Sequence, residues 1–195
     1  MKAPTQLTDE KKLAVDFFER RADHYATERE RTAYFQAQLK IVDSMLGEAS
    51  GGRLLDVGCA AGGEIPTFRT RNLSVVGMDI APRMLQYARQ RFMNDPEVEF
   101  FRADVDRLPF RDHSMDYVVS LGVFEFLADY KPAVVEIGRV LRPGGLAIFA
   151  IPSRVSQCEV GERLLAASAS PVWRAIKRLV RNARAAPTRP VFRRN

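Results

Sequence analysis

Three aspartates stand where short apolar runs end: Asp56 in LLDVGCAAGG, Asp79 in VVGMDIAPRML and Asp104 in FFRADVDRLPF. A carboxylate accepts hydrogen bonds through two oxygens and attracts cations, so these residues suit a ligand rich in hydroxyl, amino or cationic groups. Asp56 leads directly into a glycine-rich turn, residues 58–63, where a ligand can come close to the backbone. Gly58, Ala60 and Gly63 keep the spacing of a dinucleotide fingerprint, and Asp79 follows at a suitable distance. Two features argue against phosphates at this turn. The Ala60 methyl obstructs a pyrophosphate, and the Asp56 carboxylate, two residues before the turn, repels one. Taken singly, each aspartate also reads as an ordinary turn residue. At one edge together, they mark a site for a phosphate-free, positively charged ligand.

S-adenosylmethionine is a ligand of that kind, with a ribose diol, an adenine, an ammonium group and a sulfonium. Asp79 is placed to accept from both ribose hydroxyls, and Asp104 from the adenine amino group beside the Val105 backbone N–H. Asp56 is placed to orient the turn and to interact with the amino-acid moiety. A NAD-dependent oxidoreductase is the alternative that the same turn allows, disfavoured by Asp56 and Ala60.

The elements that must hold these residues are legible in the patterning. Apolar runs at Arg53–Val57, Ser74–Asp79, Val98–Arg102, Met115–Leu121 and 146–151 read as five strands with helical crossovers between them, the texture of a parallel sheet. One crossover helix begins at Pro82 with Leu85, Ala88 and Phe92 on one face; the last spans 129–141 and stops at Pro143, Gly144 and Gly145. Before the sheet, Thr8 caps a helix with Leu13, Phe17, Phe18, Ala22 and Tyr25 as its apolar stripe. A second helix carries Phe35, Leu39, Val42 and Leu46 and ends at Gly47. The expected organisation is a helical cap over residues 1–50, an α/β Rossmann-like, doubly wound parallel core over 51–152, and a basic tail over 153–195.

The motifs LLDVGCAAGG, VVGMDIAPRMLQYAR, ADVDRLPFRDHSMDYVVS, LGVFEFLAD and IGRVLRPGGLAIFAIP, in this order and spacing, make the chain similar to the class I S-adenosylmethionine-dependent methyltransferases of the small-molecule group, over residues 17–152. The resemblance implies that Gly58 and Gly62 line the methionine side of the cofactor and that Asp79 binds its ribose. By the same resemblance Ile80 and Met84 pack near the adenine, Asp104 and Val105 read its edge, Leu121 contacts the methionine moiety, and Tyr25 closes over it from the cap. Tyr25 also reads as plain packing on an apolar helix face. Ala60 replaces a usual glycine, and Phe126 stands where many relatives carry a histidine, so no catalytic base is assigned. The family fold usually continues through a further helix and a hairpin for which this chain has little room, leaving the fifth strand as an edge.

Composition sets the wider bounds. The 195 residues are 46% hydrophobic and 28% charged, ordinary for one globular core. The net charge of +6 is local: from Arg174 onward there are eight Lys or Arg and no acid, which leaves residues 1–173 at about −2. A nucleic-acid role is therefore disfavoured. The tail reads as an amphipathic basic helix from Ser170, suited to an anionic membrane surface, to covering the acceptor site, to a protein partner or to plain solvation. No apolar run approaches the ~20 residues that span a bilayer, and a cytoplasmic location is expected. Cys59 and Cys158 are too isolated for a disulfide framework or a zinc site, His24 reads as surface and His113 as part of a turn. Expected partners are a small-molecule methyl acceptor and, to cover the fifth-strand edge, the tail, a protein or a second copy. A non-catalytic partner subunit is the alternative to an enzyme.

Overall fold

A computed structural model of the chain describes residues 7–150. The apolar runs form β1 (Arg53–Val57), β2 (Ser74–Asp79), β3 (Val98–Arg102), β4 (Met115–Leu121) and β5 (Leu141–Ala150), all parallel, in the order β3-β2-β1-β4-β5. β1 lies at the centre with Leu54, Leu55 and Val57 fully buried, as expected of a parallel strand covered on both faces. Alternation along the strands sends Leu54, Val75, Val119 and Ile148 to one face, where α2 (Ala33–Leu46) adds Val42 and Leu46 and α3 (Ile65–Arg69) adds Ile65 and Phe68. Leu55, Val57, Val76, Met78 and Val118 take the other face, under Val134, Ile137 and Val140 of α5 (Lys131–Val140). The result is a doubly wound α/β Rossmann-like sheet. Its strand order reverses between β1 and β4, and the crevice beyond their carboxyl ends is where this architecture accommodates ligands.

The N-terminal helix α1 (Asp9–Glu30) starts at Thr8, whose hydroxyl accepts from Lys11 N. It lies against α4 (Pro82–Arg91), which has no side-chain cap of its own. Glu19 supplies one: Oε1 accepts from Arg83 N at 2.8 Å, while the Glu19 carbonyl accepts from the Arg83 guanidinium at 2.8 Å. Among the described residues no helix is long and apolar enough to cross a membrane.

Three expectations need correction. Leu13 and Phe17 are 70% and 48% exposed, because the inward stripe of α1 is displaced toward Ala14, Phe18, Ala22 and Tyr25. The last crossover helix is shorter than 129–141: Asp129 accepts from Lys131 N and sets its start from outside. The fifth strand begins at Leu141, which pairs with Met115 before residues 142–145 bulge out and Leu146 resumes pairing at Tyr117. The expected tail helix, Ile151 and Cys158 lie outside the described residues.

Gly77, at the middle of β2, lies beneath the Phe100 ring: an added Cβ would meet Phe100 Cδ1 at 2.6 Å and Cys59 Sγ at 3.0 Å. Gly138 in α5 has nothing within 4 Å of such an atom. In urea titrations, Gly77→Ala is expected to lose about 1–3 kcal/mol by overpacking. Gly138→Ala is expected to gain about 0.5–1 kcal/mol by restricting the unfolded chain.

Candidate functional site

α1 crosses the carboxyl edge of the sheet and closes a cavity of about 80 Å3 against the turns that follow β1, β2, β3 and β4. Its inner face repeats at steps of three and four: Lys11, Ala14, Phe18, Ala22, Tyr25 and Arg29. All of these but Ala22 line the cavity.

On the opposite wall the turn after β1 is held by its own backbone. Gly58 N and Cys59 N both donate to the Met78 carbonyl, Gly62 N donates to the Cys59 carbonyl, and Ala60 N donates to Asp79 Oδ2 at 2.9 Å. Four amides that would cradle a phosphate are thus committed inside the protein, which removes the physical basis of the dinucleotide reading. Gly58 has φ +77° and its missing Cβ leaves room for Val123, whose Cγ2 would stand 2.1 Å from it. Ala60 takes φ +46°, a left-handed conformation that costs an alanine about 1 kcal/mol. Asp79 Oδ1 accepts from Ala81 N at 2.8 Å, so this one carboxylate ties the turns after β1 and β2 together. Burial pushes the Asp79 carboxyl above its ordinary range, partly offset by these amide donors.

Beneath the turn lies an acidic cluster. Asp56 and Glu64 are each 1% exposed, and Arg29 Nη1 bonds Glu64 Oε1 at 2.6 Å. Asp56 Oδ2 and Glu64 Oε2 are buried without a hydrogen-bond partner. Burial, with Glu64 adding to it, drives the Asp56 carboxyl well above its usual range. Glu64 is also raised, since its burial outweighs the pull of Arg29. Arg29, less buried, is held charged: its own desolvation is more than offset by Glu64 and its neighbours. Cys59 lies here too, its thiol pushed up by burial and by the surrounding carboxylates.

At the β3 side, Asp104 and Val105 line the cavity, and Lys11 reaches them from α1. Lys11 Nζ stands 2.6 Å from Asp104 Oδ1 and also bonds Asp106 Oδ2, although Lys11 is only 7% exposed. Burial works against this ammonium, but the two carboxylates prevail and keep it charged. The remaining wall is aromatic. The Phe18 ring packs edge-on against Tyr25 at 5.2 Å and Phe126 at 5.4 Å. Burial pushes the Tyr25 phenol upward, so it is a neutral hydroxyl at neutral pH.

Of the expected residues, Tyr25, Gly58, Asp79, Ile80, Met84, Asp104, Val105 and Leu121 converge on this one cavity. Asp56 and Gly62 do not line it. Asp56 shares the strand face of Leu54 and turns toward Glu64 and Arg29, while Gly62, at φ +80°, backs onto Phe92. Lys11, Arg29, Phe18 and Phe126 line the cavity without having been assigned to it. The signal for Lys11 and Arg29 was their place on the three-and-four stripe of α1.

Residues 55–149 match the family described as a methyltransferase domain. The chain is 34% identical over 128 residues to a malonyl-[acyl-carrier protein] O-methyltransferase of Serratia marcescens, covering 64% of this chain and 49% of that protein. It is 34% identical over 113 residues to a demethylmenaquinone methyltransferase of Tropheryma whipplei, covering 56% and 47%. The chain thus spans about half the length of these relatives. Among solved structures, it superposes with a TM-score of 0.59 and 30% identity on the complex of a Haloferax volcanii Trm112 methyltransferase activator with a putative methyltransferase, covering 67% of this chain and 56% of that one.

The raised Asp56 carboxyl makes stability depend on pH in a definite sense. The folded state retains a proton there after the unfolded chain has released it. The associated stability is therefore present below the unfolded carboxyl's ordinary value of 3.8 and lost as pH rises through the elevated folded value. Asp56→Asn, which removes the ionisation, is expected to melt higher than the parent at pH 7, by roughly 2–4 °C for each kcal/mol recovered. The advantage should shrink to nothing as pH falls toward 3.8 in parallel thermal melts.

Proposed function

We propose that this chain, which belongs to the class I S-adenosylmethionine-dependent methyltransferases, binds that cofactor across the carboxyl rim of its sheet and passes the methyl group to an apolar small-molecule acceptor. The observation that carries the reading is the convergence of Asp79, Asp104 and Val105 with Gly58 and Leu121 on one cavity. Asp79, fixed by the Ala60 and Ala81 amides, keeps lone pairs for the ribose diol. Asp104 and the Val105 amide suit the adenine edge, between Ile80 and Met84. Gly58 and Leu121 form the methionine end, with Gly62 shaping the turn from behind. Arg29, held by Glu64, lines the cavity, and its donors not used by Glu64 suit the ligand's carboxylate.

When bound, S-adenosylmethionine supplies a methyl group already activated on a cationic sulfur. The chain's own residues then orient and exclude water, effects that lower barriers by ~7–11 kcal/mol in favourable cases. Among the described residues lining the cavity there is no histidine, and Tyr25 holds its proton. This favours an acceptor that needs little help to become nucleophilic. The edge-packed rings of Phe18, Tyr25 and Phe126 favour an apolar or aromatic acceptor. Of the acceptors named in two relatives, malonyl-[acyl-carrier protein] and demethylmenaquinone, the second is the one that suits such a wall.

We carry two partner readings with this function. Among the described residues β5 is an edge strand, and a second copy, the basic tail or an activator protein of the kind bound to the Haloferax relative would cover it. The tail would also offer a basic face to an anionic surface. A non-catalytic partner subunit is the competing account, and turnover of a methyl acceptor by the monomeric protein would remove it.

Calorimetry with S-adenosylmethionine tests the central reading. The intact protein is expected to bind. Asp79→Ala and Asp104→Ala should each weaken binding roughly 10- to 150-fold, the loss typical of a hydrogen bond to a charged group. Undetectable binding by the intact, folded protein would sink the assignment.

A further inference from the structure

Lys11 presents a problem that the site's chemistry does not explain. It lies 93 residues from Asp104 in sequence, is almost fully buried, and places a strong hydrogen-bond donor on the carboxylate that suits the adenine amino group. Asp104 Oδ1 is occupied twice, by Lys11 Nζ at 2.6 Å and by Asp106 N at 3.1 Å. The cavity behind this bridge holds about 80 Å3, whereas sites for ligands of nucleoside size measure roughly 300–1,000 Å3. α1 must therefore move outward before a nucleoside fits, and at this end Lys11 is the charged tie that holds it. A second seat for the ammonium stands beside the first: Asp106 Oδ1 is buried and lacks any hydrogen-bond partner.

We infer that Lys11 is an internal substitute for the adenine amino group, latching the start of α1 over the cavity until the nucleoside takes Asp104 and the ammonium moves wholly onto Asp106. The inference rests on Asp104 being the adenine partner. An ammonium and an exocyclic amino group are both N–H donors, so one carboxylate serves either in turn without being left unpaired in a partly buried site. The exchange also preserves the charge balance. The ammonium stays paired with Asp106, so no buried cation is stranded when the ligand arrives. The latch costs affinity, because part of the cofactor's binding free energy goes into displacing Lys11.

Titration calorimetry with S-adenosylhomocysteine on four proteins tests this: the parent, Lys11→Met, Asp106→Asn and the double variant, each checked for folding by circular dichroism. Lys11→Met is expected to bind roughly tenfold tighter, within the 5- to 150-fold span usual for coupled equilibria. Asp106→Asn, which removes the second seat, should bind more weakly than the parent. That penalty should vanish when Lys11 is already Met, a non-additivity that a merely structural lysine would not produce. If Lys11→Met does not fold, Lys11→Gln takes its place with the same expectations. A parent that binds while Lys11→Met binds equally or more weakly overturns the latch alone, as does an Asp106→Asn penalty that persists in the double variant. Absence of binding by all four folded proteins overturns the cofactor reading as well.

Discussion

The carboxyl rim of this sheet gathers more negative charge than its own strands can balance. Asp56, Glu64, Asp79, Asp104 and Asp106 all cluster there, three of them with side-chain oxygens buried and unpaired. Like charges brought together in a medium of low dielectric oppose folding unless cations meet them. The cations come from α1: Arg29 at one end of its inner face and Lys11 at the other. The N-terminal helix is therefore the electrostatic completion of the core. What the two cations do not balance is met by burial itself, which pushes the Asp56, Glu64 and Asp79 carboxyls toward their neutral form.

Much of this was readable in the residues, for physical reasons that differ from place to place. β1, β2 and β4 were legible to the residue because largely buried strands become apolar runs with polar ends, and β3, a mostly exposed edge, because its Val and Phe residues follow the break at Pro96. Asp79 and Asp104 were legible because the ends of such strands sit at the ligand edge. Asp56 was legible as an acid at the rim, but strand alternation directs it away from the cavity toward Glu64. Lys11 and Arg29 were missed because an apolar stripe was sought, and a charged residue on a helix is ordinarily read as solvent-facing. Leu13 and Phe17 were misassigned for the converse reason, being apolar yet exposed. The bulge at residues 142–145 leaves no mark in hydrophobic periodicity, so the early start of β5 at Leu141 could not be read.

The cavity's two ends divide the labour. Around Asp79, Asp104 and the backbone of the turns, polar groups are fixed in direction, and Ala60 accepts a strained conformation so that its amide can hold Asp79. Around Phe18, Tyr25 and Phe126 the surfaces are apolar and without a titrating base at neutral pH. One end therefore offers directed hydrogen bonds and the other a shaped apolar wall.

The bond from Glu19 to the Arg83 amide fixes α1 to α4 near its mid-length. Lys11 stands eight positions before Glu19, about 12 Å at helical rise. Toward the far end of the helix, Arg29 and Glu30 are tied to Glu64 and Arg91. With the cap on α4 and the far anchorage both in place, release of Lys11 would free only the first two turns, so opening would need a bend of α1 near Glu19 and no unthreading of the helix.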